Sequence, residues 1–275
     1  MLSDYTKFQA KLYPVLPFLI YQANKIRKEN PSPPAISENL ILGNGKRKIL
    51  ILGESTVAGV GASQEEFTLA GNLYRLIGSD FQVTNLGKNG LRASQALPHF
   101  NATLRSISES FEGACIFLGA NDCFRLTHPK KYHQSLSDLL QFLQNKLKVK
   151  WIYLADIPPV QLFPAFPNLL EFFLKAQRTF LQKEMKSIAL ESEHILFEPI
   201  LIDISYDYNL SFSCHMESSH GLQSSHGMTV SSCSISPDFF SKDNIHPSDM
   251  GYQKIAEFAA EGLLRSDFIN RDQGF

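Results

Sequence analysis

An α/β fold, built on a parallel sheet covered on both faces, is predicted by three features of the sequence. Five strand-sized apolar runs recur along the chain: KILIL (48–52), FQVTNL (81–86), ACIFLG (114–119), KWIYLA (150–155) and HILFEPILI (194–202). Longer amphipathic segments separate them, which is the rhythm of βαβ units. The runs are apolar without alternation, as strands buried on both faces must be. In such a sheet ligands collect outside the carboxyl ends of the strands. Ser55 follows the first run there, Gly87 and Gly90 the second, and Asn121 and Asp122 the third.

Before the first run lies an N-terminal segment, MLSDYTKFQAKLYPVLPFLIYQANKIRKEN, then the proline-rich NPSPPAISEN. Residues 1–45 read as a helical extension and linker, and residues 46–275 as the main domain. The stretch from Leu12 to Ala23 holds two prolines and falls short of the ~20 apolar residues a bilayer span needs. No secretory cleavage pattern accompanies it, so the expected location is cytoplasmic. Packing on the domain is one reading of this segment. Peripheral membrane contact is the other, because Lys25, Arg27 and Lys28 follow an apolar, aromatic stretch.

Residues 168–191 keep apolar side chains at 169, 170, 173, 174, 180, 181, 185 and 188 with charges between, predicting a long amphipathic helix. From 203 to 242 the rhythm breaks into a stretch rich in Ser, His and Gly, read as an irregular insertion. Cys214, His215, His220, His226 and Cys233 within it are zinc-capable, but no paired-cysteine knuckle accompanies them, and the expectation is no metal and no cofactor. A second helix is expected over about 249–264.

Composition narrows the function. The chain has 275 residues, 44% of them hydrophobic, which suffices for a sizeable core. A formal net charge of −1 creates no field to attract a polyanion, so nucleic acid is not an expected partner. Four cysteines without C-x-x-C spacing give no disulfide framework.

GESTVAGVG (53–61) carries the first candidate chemistry. It lacks the lysine and second glycine of a phosphate loop, the G-x-G-x-x-G of dinucleotide binding and the G-x-S-x-G elbow. Ser55 is therefore a helix cap or a nucleophile. A serine nucleophile needs a base, and the base needs a group to orient it. Of eight histidines, only His246 has an aspartate three residues earlier, Asp243 in DNIHP. His194 and His220 have Glu191 and Glu217 at the same offset, but they lie at a helix–strand junction and in the irregular insertion.

GESTVAGVG, NLGKNG (85–90), LGAND (118–122) and DNIHPSDMGY (243–252) together resemble the blocks of the SGNH/GDSL hydrolase superfamily, in order, between about residues 48 and 265. The resemblance implies a three-layer α/β/α sandwich, flavodoxin-like, with about five parallel strands. It implies Ser55 as nucleophile and oxyanion donor, Gly90 (with Gly87 its rival) and Asn121 as further oxyanion donors, and Asp243 and His246 as the rest of a triad. Glu54 departs from the family pattern, which has aspartate beside the serine; its extra methylene is expected to shift a supporting hydrogen bond.

The reaction implied is ester hydrolysis through an acyl-enzyme, on a small-molecule or lipid ester. Residues 157–170, IPPVQLFPAFPNLL, place Pro158, Phe163 and Phe166 near the expected cleft, either as an apolar acyl groove or as a packed loop. The segment resembles bacterial lysophospholipase-like and arylesterase-like members. The alternatives are a carbohydrate O-deacetylase or acyltransferase on the same machinery, and a catalytically silent binding module.

Overall fold

The computed structural model describes residues 3–107, 110–203, 228–231, 236–266 and 268–269. Two helices open the chain, α1 (Asp4–Leu12) and α2 (Leu16–Glu29), parted where Pro14 and Pro17 prevent one continuous helix. There follow strands β1 (Asn39–Leu42) and β2 (Arg47–Gly53), helix α3 (Leu69–Ile77), β3 (Phe81–Gly87), α4 (Ala93–Ser106) and β4 (Gly113–Phe117). The short α5 (Ala120–Phe124), α6 (Pro129–Lys146), β5 (Trp151–Ala155), α7 (Asn168–Leu190) and β6 (Ile195–Glu198) continue the pattern. Strands β7 (Ile200–Asp203) and β8 (Met228–Ser231) and helix α8 (Asp249–Arg265) complete it.

The main sheet has the order β1-β3-β2-β4-β5-β6. Its five parallel strands run β3-β2-β4-β5-β6, the flavodoxin-like order, and β1 adds an antiparallel edge beside β3. The central strand β2 is solvent-free from Ile49 to Leu52 because successive side chains enter different cores. Leu50 and Leu52 join Ala114, Ile116, Ile152 and Leu154 under α4, α6 and α7. Ile49 and Ile51 join Cys115, Phe117, Tyr153 and Ala155 under α3 and α8. The result is the three-layer sandwich.

Two segments differ from the sequence reading. Residues 39–42, read as linker, form the edge strand β1, whose four residues alternate between exposed and half-buried and so carry no continuous apolar signal. HILFEPILI, read as one run, is two strands: β6 joins the main sheet, and β7 pairs with β8 in a separate two-stranded sheet. Pro199 between them has no N–H for a ladder. Beyond it, the Ile200 N–H donates to Asp156 Oδ2 at 2.8 Å and the Ile200 carbonyl accepts from Arg178, which draws the chain out of the sheet.

The N-terminal helices pack on α7 through their own small core of Phe8, Leu12, Leu19 and Phe173. Tyr5 adds edge contacts to the rings of His128 and Phe180. The inner side of α2 faces a cavity at the carboxyl end of the sheet.

Candidate active site

β2 ends at Gly53, and the chain turns at once. The Glu54 N–H donates to the Phe117 carbonyl at 3.1 Å, extending the β2–β4 ladder by one bond, and Ser55 then stands clear of the strand. The turn is held from behind: Asn85 Nδ2 and Ser37 Oγ both donate to the Val57 carbonyl, at 2.9 and 3.0 Å. Among the described residues Ser55 Oγ has no hydrogen-bond partner, so its proton is uncommitted.

The two glycines after β3 do different things. A Cβ on Gly87 would lie 2.3 Å from the Ala58 nitrogen, so this glycine lets β3 press against the Ser55 turn. Gly90 adopts φ +77 with open space where a side chain would go, and it lines the cavity. Its amide and that of Ser55 donate to nothing among the described residues.

Glu54 is buried, and its carboxylate gathers the start of α5. Oε1 accepts the N–H groups of Gly119 (2.9 Å) and Ala120 (2.8 Å), and Oε2 accepts the Asn121 N–H (2.9 Å) together with Asn121 Nδ2. The sequence reading expected the longer side chain to displace a supporting bond. In the structure this carboxylate takes four donors, including the side chain of a cavity residue. Burial raises this carboxyl to about 7, against the opposing pull of the hydrogen bonds from Asn121 and Ala120. Asp122, next in sequence, is also buried, accepts the Ala93 N–H at 2.8 Å and thereby ties α5 to the start of α4.

His246 arrives on the turn before α8. Its Nδ1 lies 2.5 Å from Asp243 Oδ2, while Asp243 Oδ1 accepts Ser241 Oγ–H and the N–H groups of Ile245 and His246 at 2.9 to 3.1 Å. Burial would raise the Asp243 carboxyl, but the His246 side-chain and backbone bonds outweigh it and hold the group below its usual value. Asn244 turns this corner at φ +57. The turn is fastened to the Ser55 side by Tyr252 Oη–H donating to the Val60 carbonyl (2.7 Å) and by Ser63 donating through N–H and Oγ to Asp249 (2.8 and 2.6 Å).

Ser55, Gly90, Asn121, Asp243 and His246 therefore line one cavity of about 660 Å³. No hydrogen bond joins Ser55 to the His246 ring directly. Pro158, Phe163 and Phe166 line the same cavity, and Phe124 meets Phe163 and Phe166 edge-on at ring-centre distances of 6.3 and 5.6 Å. The wall is kept in place by Asp156, whose Oδ2 takes Arg178 Nη2 (2.6 Å), Gln182 Nε2 (2.7 Å) and the Ile200 N–H. Arg178 in turn donates to the Ile157 carbonyl at 2.8 Å.

Sequence reasoning missed the Asp156–Arg178 pair. Its available signal was an acid directly after β5 and an arginine on the apolar side of α7, beside Leu174 and Leu181. Cys214, His215, His220, His226 and Cys233 lie outside the described residues. Among the described residues no three His, Cys, Asp or Glu side chains come together as a metal site.

A flavodoxin-like sandwich here brings a serine and an Asp–His pair to one cavity at the strand ends. The chain belongs to the GDSL-like lipase/acylhydrolase family, whose model matches residues 51–254. It is accordingly a carboxylic ester hydrolase of the SGNH/GDSL type.

Solved structures share the fold. A candidate lipolytic protein of the G-D-S-L family from Desulfitobacterium hafniense DCB-2 is 17% identical with a TM-score of 0.55, covering 79% of this chain and 100% of its own. The psychrotrophic esterase EstA from Pseudoalteromonas sp., inhibited by monoethylphosphonate, is 18% identical with a TM-score of 0.52 (82% and 100% covered). A candidate platelet activating factor from Streptococcus pneumonia is 16% identical with a TM-score of 0.53 (97% and 100% covered). No curated protein matches the sequence.

Proposed function

We propose that this chain hydrolyses acyl esters, lysophospholipids among them, with Ser55, His246 and Asp243 as the triad. Ser55 Oγ attacks the ester carbonyl as His246 Nε2 takes its proton, and Asp243 holds the ring and stabilises the imidazolium. Breakdown of the tetrahedral state returns that proton to the leaving alcohol and leaves an acyl-serine. Water, deprotonated by the same imidazole, then releases the acid. The amides of Ser55 and Gly90 and Asn121 Nδ2 are the oxyanion donors, and Pro158, Phe163 and Phe166 form the acyl wall. The catalytic domain comprises residues 46–275 together with the edge strand β1, and the segment before β1 supplies part of its cleft through α2.

One observation carries this reading: five side chains or amides drawn from four separate turns converge on one cavity, with His246 already oriented by Asp243 at 2.5 Å. The aromatic wall favours an acyl chain over the acetyl group of a sugar ester. Intact-mass analysis after treatment with a fluorophosphonate tests it. Wild type is expected to gain one adduct, and Ser55→Ala and His246→Ala none at the same exposure. An unmodified wild-type chain would leave the silent binding module standing.

A second reading concerns where the enzyme works. Tyr13, Phe18, Ile20 and Tyr21 are each more than half exposed on the N-terminal segment, with Phe172 similarly exposed on α7, which that segment packs against. Lys25 and Lys28 share the outer side of α2 with Phe18 and Tyr21 by helical spacing. Peripheral contact with an anionic membrane accounts for this face. No helix among the described residues is long and apolar enough to cross a membrane.

A further inference from the structure

The charged groups around the cavity are unevenly committed. Glu54 holds the start of α5, Asp156 is paired with Arg178 at 2.6 Å, and Asp243 is paired with His246 at 2.5 Å. Lys254 is paired with Glu257 at 2.8 Å. Arg27, from the last turn of α2, and Arg125, directly after α5, line the same cavity, and neither has a side-chain partner among the described residues. Both are exposed, so they stand at its solvent side. Phe124, Phe163, Phe166, Leu170 and Leu174 line its apolar part.

Two exposed guanidinium groups without side-chain partners on the lining of one cavity make the local potential favourable to an anion. Each presents a planar fork of donors that matches phosphate oxygens. All three carboxylates in the cavity wall are already bonded inside the fold and so are not available as counter-ions. A bound anion is therefore the partner this lining favours.

We propose that Arg27 and Arg125 form a phosphate subsite, which selects acyl esters whose leaving alcohol carries a phosphate. The acyl chain lies along the phenylalanines, the ester carbonyl sits at Ser55, and the phosphate is held at the rim. The N-terminal extension thereby supplies a specificity determinant, and Arg27 is one that the catalytic domain alone would lack. This inference rests on the assignment of Ser55 as the nucleophile.

The test compares kcat/KM for hexanoyl-glycerol 3-phosphate with that for hexanoyl-glycerol, both used as monomers. Wild type is expected to prefer the phosphorylated ester. The ratio should fall about 10- to 100-fold in Arg27→Ala/Arg125→Ala, the range for losing charge-assisted hydrogen bonds, and recover in part in Arg27→Lys/Arg125→Lys. Inorganic phosphate and glycerol 3-phosphate are competed against the neutral ester: inhibition by both assigns the subsite to phosphate itself, and inhibition by the glycerol ester alone assigns it to a lipid headgroup. No preference in wild type, or an unchanged ratio in the alanine variant, would overturn the subsite.

Binding of the phosphorylated ester to Ser55→Ala protein separates the two assignments. If wild type turns over no ester, or Ser55→Ala turns over esters as wild type does, yet the arginine substitutions still weaken binding, the Ser55 assignment fails and the subsite stands. Binding indifferent to both arginines sinks the subsite whatever the fate of Ser55.

Discussion

The Glu54 carboxylate and Asn121 are joined twice, once through the Asn121 backbone N–H at 2.9 Å and once through its side-chain amide. An amide has two hydrogens, so one bond to Glu54 fixes the rotamer and leaves the second hydrogen directed elsewhere. Glu54 acts here as a positioning residue for a cavity donor, a task that needs a carboxylate with two acceptor oxygens.

Removing the donor itself sets the scale. Asn121→Ala should lower kcat about 10²- to 10³-fold with little change in KM, the signature of an interaction made in the transition state. Steady-state kinetics on a neutral short-chain ester measure it, and an unchanged kcat would remove Asn121 from the oxyanion site.

Replacing the positioner should resemble replacing the donor. Glu54→Gln turns an acceptor oxygen into an NH₂ facing N–H groups, and kcat should drop by about 10-fold or more. In the Glu54→Gln/Asn121→Ala double variant the losses should fall well short of their product, because both act through one amide. A multiplicative loss would mean that Glu54 acts elsewhere.

Glu54 also gives a pH signature with two opposed directions. Its folded value of about 7 exceeds the ordinary glutamate value of 4.5, so between these the folded chain retains a proton the unfolded chain has released. The stabilisation is complete below 4.5 and is lost as pH rises through 7. Thermal melts from pH 5 to 8 should show wild-type Tm declining relative to Glu54→Gln. Activity runs the other way, since four donors are satisfied only by the ionised carboxylate, and Glu54→Gln should lack that component of the acid limb.

The buried Asp156–Arg178 pair makes a stability prediction. Arg178→Met strands a carboxylate that still faces the Ile157, Ile200 and Gln182 donors, and should cost about 3–5 kcal/mol in denaturant unfolding. A loss under 1 kcal/mol would mean that solvent reaches Asp156.

Membrane contact is tested on vesicles. Phe18→Ser/Tyr21→Ser should reduce sedimentation with phosphatidylglycerol vesicles, and binding should weaken in high salt. Equal recovery of both proteins would assign those rings to some other role.

Much of this was legible in the sequence because buried parallel strands cannot alternate, and their ends announce themselves in residue type. KILIL and the turn after it located Ser55, and the Asp243–His246 spacing survived as a 2.5 Å contact. Strand β1 was hidden because an edge needs no apolar run, and the break at Pro199 because both halves are apolar. The partners of Glu54 were not legible for a different reason. Its role depends on where the first turn of α5 sits in space, which no spacing within GESTV encodes. The signal at Arg178 was weak, an arginine on an apolar helix side, and did not name its partner 22 positions away.

The bonds from Val60 to Tyr252 and from Ser63 to Asp249 bridge separations of 192 and 186 positions. A chain emerging from the ribosome would display its serine long before the imidazole existed, and α8 must dock before the two can cooperate. Under the proposed Ser55–His246 mechanism, hydrolytic competence is a late event in biogenesis. Catalytic turnover in a translation time course would report completion of the last layer of the sandwich, and the unfinished polypeptide would be harmless to the esters around it.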